Sequence, residues 1–138
     1  SGNPFKIRIN INQIKIPNYI ICVVPSSKVE KRASGIRDLA MKIKNYCNLT
    51  LGLQILHRRT NITPQHKRIG RASYDEQYNS QYCLSGCDNI IRKKNIILFD
   101  DVITSGNTIL ASSNLLLEHG AKKITCLVLG STIALVKF

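Results

Sequence analysis

Four short apolar runs, at residues 19–24, 51–56, 95–99 and 124–129, alternate with stretches of different character, and this alternation constrains the fold more than any other feature. The first run, Tyr-Ile-Ile-Cys-Val-Val, contains no charged residue and stops at Pro25. A strand of this kind is buried on both faces, as in a parallel sheet. Ile36, Leu39, Ala40, Ile43 and Cys47 then follow helical spacing behind Ser34, a side chain suited to capping a helix. Ile109, Leu110, Leu116 and Leu117 place another helix over 108–119, and Gly120 suits its C-terminal end. Strands alternating with helices imply a parallel sheet joined by right-handed crossovers. The fold class is therefore α/β: one mostly parallel sheet of order 2-1-3-4 flanked by helices. That order sets the first and third runs side by side. The loops that begin at Pro25 and Asp100 then face one crevice, where a ligand is expected.

The 138 residues fit a single domain, with a core over 18–138. Ahead of it, Phe5, Ile7, Ile9, Ile11, Ile14 and Ile16 alternate with polar residues and predict a small hairpin over 1–17. From His57 to Lys94 the chain is polar, basic and rich in turn residues; so long a connection is usually functional, and residues 57–85 are expected to act as a mobile lid. No apolar run approaches the ~20 residues of a membrane span, and no signal peptide precedes the first strand. Five cysteines without framework spacing point to a reducing cytoplasm. Cys83-x3-Cys87 is the one close pair, and sequence alone offers no convincing further pair of ligands for zinc. Twenty basic residues against 8 acidic ones attract polyanions, whether nucleic acid or a phosphorylated small molecule. The densest clusters are 57–59, 66–68 and 92–94.

The segment 96–108, Ile-Ile-Leu-Phe-Asp-Asp-Val-Ile-Thr-Ser-Gly-Asn-Thr, carries the chemistry. An apolar strand delivers Asp100 and Asp101 to the carboxyl edge of the sheet. Hydroxyls at Thr104, Ser105 and Thr108 follow, around Gly106 and Asn107, where a helix begins. A glycine turn at a helix N-terminus binds phosphate through backbone N–H groups. Acids beside a phosphate site suit sugar hydroxyls or a hard cation. Two acids at a strand end, or Thr-Ser-Gly alone, are commonplace; their ordered combination behind an apolar strand is not. The two acids should point to opposite faces unless the chain turns sharply there.

This segment closely resembles the ribosyl-pyrophosphate signature of the type I phosphoribosyltransferases. Further likenesses are Val23-Val24-Pro25-Ser26-Ser27-Lys28, similar to the family's pyrophosphate loop, and Arg59-x3-Thr63-Pro64-Gln65 with Asn79, similar to the mobile loop of the ComF-like branch. Glu118-His119-Gly120-Ala121 is also similar to that branch. The resemblance implies that Asp100 and Asp101 engage the ribose hydroxyls and that Thr104, Ser105, Gly106, Asn107 and Thr108 hold the 5-phosphate. It further implies that Ser26, Ser27 and Lys28 meet the pyrophosphate, and that Arg59, Lys67, Arg68 and Arg71 are loop cations able to cover it. Mg²⁺ would be held mainly by substrate and water rather than by protein ligands. The implied activity is transfer of phosphoribosyl from 5-phosphoribosyl 1-pyrophosphate to an acceptor, a nitrogen nucleophile of unknown identity. The alternative is a non-catalytic module that senses the sugar pyrophosphate or binds nucleic acid. Only the hairpin stands where the family builds the hood over its acceptor, which leaves room for an oligomer or a partner protein to complete it.

Overall fold

The computed structural model describes residues 19–27, 29, 34–47, 49–52, 54–63, 72–103 and 106–131. The hairpin expected over 1–17 lies outside them. In chain order the elements are β1 (Tyr19–Val23), α1 (Ser34–Cys47), β2 (Thr50–Leu51), β3 (Leu56–Arg58), α2 (Tyr74–Asn79), β4 (Gln81–Cys83), α3 (Asp88–Ile91), β5 (Asn95–Ile103), α4 (Asn107–Glu118) and β6 (Lys123–Ser131). The main sheet has the order β2-β1-β5-β6, all parallel, which is the 2-1-3-4 order that the apolar runs imply.

Alternation along β1 and β5 builds two core layers. Ile20 and Cys22, with Ile96 and Leu98, face Ile109, Leu115 and Leu116 of α4. Ile21 and Val23, with Ile97 and Phe99, face Ile36 and Ala40 of α1. Both faces are covered, so neither strand tolerates a polar residue, and this explains the unbroken apolar runs. α4 ends as its sequence implies. Gly120 has φ 100°, Gly120 N–H donates to Leu117 O and Ala121 N–H to Leu116 O.

The second apolar run does not form one strand. β2 stops at Leu51, and Leu56 begins β3 in a separate antiparallel pair with β4. Gly52 marks the break. Its N–H donates to Ile21 O at 2.7 Å, and a Cβ there would lie 2.8 Å from both Ile20 Cγ2 and Ile55 Cδ1 and 3.2 Å from Cys22 Sγ. All three neighbours are buried, so none can swing aside freely. Gly52→Ala is expected to lower stability by roughly 1–3 kcal/mol, the scale of an overpacked core, and urea unfolding will measure it.

The stretch 57–94 is not without secondary structure. Its described residues fold into the end of β3, α2, β4 and α3, with α2 and β4 packed along α4. Ser73 Oγ accepts from Glu76 N–H to start α2. Tyr78 OH donates to Glu118 Oε2 at 2.6 Å, Asn114 Nδ2 donates to Tyr74 OH at 2.8 Å, and Ser112 Oγ donates to Gln81 Oε1 at 2.6 Å. These bonds fasten the segment to the core through polar side chains, which is why it reads as solvated from sequence.

Candidate active site at the ends of β1 and β5

β1 and β5 pair in register from Tyr19↔Asn95 to Val23↔Phe99, and Val24 N–H donates to Phe99 O at 2.8 Å. Both strands therefore reach the carboxyl edge of the sheet together. The loop that begins at Pro25 and the acid pair at Asp100 are adjacent, as the strand order predicts.

The loop after β1 is held from across the crevice by β3. Arg58 closes that strand and is only 6% exposed. Its Nε donates to Ser26 O at 2.8 Å and one terminal nitrogen to Pro25 O at 3.1 Å. The other terminal nitrogen donates to Gln77 Oε1 at 3.2 Å and to Ser80 Oγ. Further along, Ile62 N–H donates to Ser27 O at 2.8 Å and Val29 N–H to Asn61 Oδ1 at 2.8 Å. The Pro25 and Ser26 carbonyls are thus engaged by the guanidinium, which holds the described part of the loop in place without a ligand. Burial lowers the Arg58 pKa to about 10, and Asp100 opposes that shift.

The acid pair departs from expectation in one respect. β5 does not turn after Asp100 but continues to Ile103, pairing with β6 as far as Ser131. Asp101 N–H nevertheless donates to Asp100 Oδ1 at 2.9 Å, and the Asp101 carboxyl stays near enough to raise the Asp100 pKa. Asp100 is half-buried and Asp101 exposed. Burial first, then the neighbouring Asp101 carboxyl, push Asp100 up to about 8, while Arg58 pulls it back. The site thus pairs an exposed carboxylate, Asp101, with a neighbour, Asp100, that keeps its proton up to a pH of about 8, and among the described residues Arg58 is the buried guanidinium that acts on Asp100.

The third component is the start of α4. Gly106 is its N-cap in the left-handed region, φ 84°, a conformation that favours glycine. Asn107 and Thr108 form the first turn, where backbone N–H groups and the helix dipole favour an anion. Asn107 Nδ2 donates to Ala72 O at 3.1 Å, tying this turn to the segment that leads into α2.

The fold therefore brings Ser26, Ser27, Asp100, Asp101, Gly106, Asn107 and Thr108 to one edge of the sheet. Lys28, Thr104, Ser105, Lys67, Arg68 and Arg71 lie outside the described residues, as does the Pro64-Gln65 part of the loop likeness. Arg59 is exposed, its guanidinium 5.3 Å from the centre of the Tyr82 ring, which in turn stacks on His57 at 5.3 Å. Asn79 is exposed at the end of α2. The basic cluster 57–59 is not a continuous cationic surface, because its middle member turns inward. Arg58 is also the residue that sequence reasoning missed. Three basic-looking residues in a row look like solvent-facing charge, and the only hint was an apolar run ending directly before them.

A family model described as a phosphoribosyl transferase domain matches residues 33–134. No curated protein matches the chain. Among solved structures, the chain is similar to one described as the structure of the allosteric regulatory enzyme of purine biosynthesis, with a TM-score of 0.52 at 15% identity. The match covers 86% of this chain and 23% of that one, so the chain spans under a quarter of that enzyme's length. At this identity the likeness is one of fold.

Proposed function

The chain belongs to the phosphoribosyl transferase domain family, and we propose that it binds 5-phosphoribosyl 1-pyrophosphate in the crevice between β1 and β5. It then transfers the phosphoribosyl group to a nitrogen acceptor and releases pyrophosphate. One observation carries this reading: a pre-shaped loop, a carboxylate pair and a left-handed glycine at a helix start converge on one sheet edge. Each suits a different part of the same ligand. The start of α4 receives the 5-phosphate, together with Thr104 and Ser105. Asp100 and Asp101 accept hydrogen bonds from the ribose hydroxyls. Ser26, Ser27 and Lys28 meet the pyrophosphate, largely through backbone amides, with Arg59, Lys67, Arg68 and Arg71 as the cations available to cover it.

Displacement at the ribose C1 builds positive charge on the sugar and negative charge on the departing pyrophosphate. The acid pair stabilises the first and the loop amides the second, more strongly the drier the crevice. The donor set also fits Mg²⁺. Two neighbouring carboxyl groups, one of them pushed toward neutrality, are what a hard divalent cation relieves. Asp100 and Asp101 would hold it through the substrate and water, and when bound it would neutralise pyrophosphate charge. Among branches of the family, Arg59 with Thr63 and the Glu118-His119-Gly120-Ala121 run favour the ComF-like one.

Pyrophosphate release, assayed with Mg²⁺ and a panel of nitrogen bases, tests the proposal. Release that depends on the added base is the expected result. Binding of the sugar pyrophosphate without release under any base would assign the chain to a sensing role instead. Absence of binding in the presence of Mg²⁺ would overturn both.

A further inference from the structure

Outside the crevice, the described residues bring one group of metal-ligating side chains together. Cys87, Asp88 and His119 offer ligand atoms that all lie within 4.8 Å of one another. His119 Nδ1 is 2.6 Å from Asp88 Oδ1, and Cys87 Sγ lies 3.6 Å from the same oxygen. The Cys83 thiol, on β4, neighbours that of Cys87, which helps to raise its pKa. A histidine bonded to an aspartate needs no metal to explain it. Two thiols gathered beside that pair, one of them fully buried, are not accounted for by it.

Cys83-x3-Cys87 lacks further ligands when read along the chain, but the fold supplies them. α4 starts at the carboxyl edge of the sheet beside Asp100 and runs back, so His119 comes down at the opposite edge. There it meets α3, which begins at Asp88 directly after Cys87. Backbone bonds already pin this corner: Lys93 N–H donates to Gly120 O at 2.9 Å and Lys122 N–H to Lys94 O at 2.8 Å. Asp88 and His119 are half-exposed, which gives an ion a way in, while Cys87 closes the back.

We propose that Cys83, Cys87, Asp88 and His119 form a structural site for a zinc-type cation, separate from the crevice. Sulfur, imidazole and carboxylate donors together select a borderline-soft tetrahedral ion, not Mg²⁺. In a tetrahedron with Zn–S of about 2.3 Å and Zn–N of about 2.0 Å, ligand atoms sit roughly 3.3–3.8 Å apart, so Cys87, Asp88 and His119 need only side-chain adjustment, and Cys83, outside that 4.8 Å group, must rotate in to complete the set. The His119–Asp88 contact widens and the outer thiol swings in. Each thiol gives up its proton to solvent as its sulfur takes the metal. The bound ion would staple the β4–α3 turn to the C-terminal end of α4, across a part of the fold otherwise joined by short elements.

The test uses the full chain, stripped with a chelator under reducing conditions and titrated with Co²⁺. The expected result is a saturable thiolate-to-cobalt charge-transfer band with the visible bands of a tetrahedral ion, bleached by Zn²⁺, and a higher melting temperature with Zn²⁺. Cys83→Ser and Cys87→Ser should each diminish the charge-transfer band. His119→Asn should weaken the metal by about tenfold or more, the scale for disturbing a metal site. Cys126→Ser, on β6, should bind like the parent. Should Cys87→Ser fail to fold, the more exposed Cys83 and His119 variants still decide the matter. A folded parent with no thiolate band, or Cys83→Ser and His119→Asn variants that bind cobalt as the parent does, would overturn the site. Transferase activity plays no part in these readouts, so the fate of this site and that of the crevice are independent.

Discussion

A chain carrying both Asp100→Asn and Asp101→Asn will melt at a higher temperature than the parent near neutral pH and fail to bind 5-phosphoribosyl 1-pyrophosphate. The folded protein holds the Asp100 proton far more tightly than the unfolded chain does, because burial and the Asp101 carboxyl push its pKa up to about 8. Stability from this group is fully present below the ordinary carboxylate range and is lost as pH rises through about 8. A gap between the folded and unfolded pKa of a group is a stability difference, so ionising Asp100 sets the folded state back. Asparagine keeps the shape and removes the cost. Replacing Asp101 removes the charged acceptor for the ribose, at roughly 1–3 kcal/mol, the scale of a charged hydrogen-bond partner, and replacing Asp100 alters the acceptor beside it. Melting curves between mildly acidic and mildly basic pH will show a declining stability in the parent and a flatter profile in Asp100→Asn. Asp101→Asn should weaken binding while retaining the fold. A folded double variant that binds the sugar pyrophosphate and Mg²⁺ like the parent would falsify the assignment of the segment.

Arg58→Met will damage both the fold and the crevice. Methionine fills some of the volume but donates nothing to Pro25 O, Ser26 O, Gln77 Oε1 or Ser80 Oγ. Leaving buried acceptors unpaired costs about 1–3 kcal/mol each where water cannot reach them, so a total loss of roughly 3 kcal/mol or more is expected. Arg58→Lys should not restore it, since an ammonium cannot reproduce a planar fork that serves two loops at once. Denaturant unfolding measures the stability. Titration with the sugar pyrophosphate in the folded fraction measures the second effect, a weaker affinity from a loop no longer set in place. Stability of Arg58→Lys equal to that of the parent would show that charge alone, not the fork, matters here.

The frame of the molecule could be read from residue types because its strands are extreme. Ile20–Val23 and Ile96–Phe99 lie between two helical layers, so every position is apolar, and no other structure fits such short runs with helical spacing between them. Gly106 and Gly120 could be placed for a similar reason, since a helix start and a helix end each call for backbone freedom. The segment from Leu56 to Arg92 resisted reading because its described elements have three, six, three and four residues, too short for any period to register. Their partners are far away in the chain: Tyr78 with Glu118, Asn114 with Tyr74, Arg58 with Pro25. The acid pair was legible as chemistry but not as geometry. That the two carboxyl groups are neighbours on a strand that continues past them depends on β6 running alongside as far as Ser131.

The pairing of β1 with β5 also dictates an order of events during synthesis. Residues 19–23 are made before their partner on one side, residues 95–99, which follow only after α1, β2 and the whole β3–α3 segment. β2 offers only two residues in the meantime. The most apolar stretch of the chain therefore waits without a completed sheet while most of its covering elements are still being made. Contacts of such high sequence separation are slow to form, and the waiting strand is open to association with other chains. Recovery of folded protein after dilution from denaturant should accordingly fall as chain concentration rises, with β1 as the segment through which molecules capture one another.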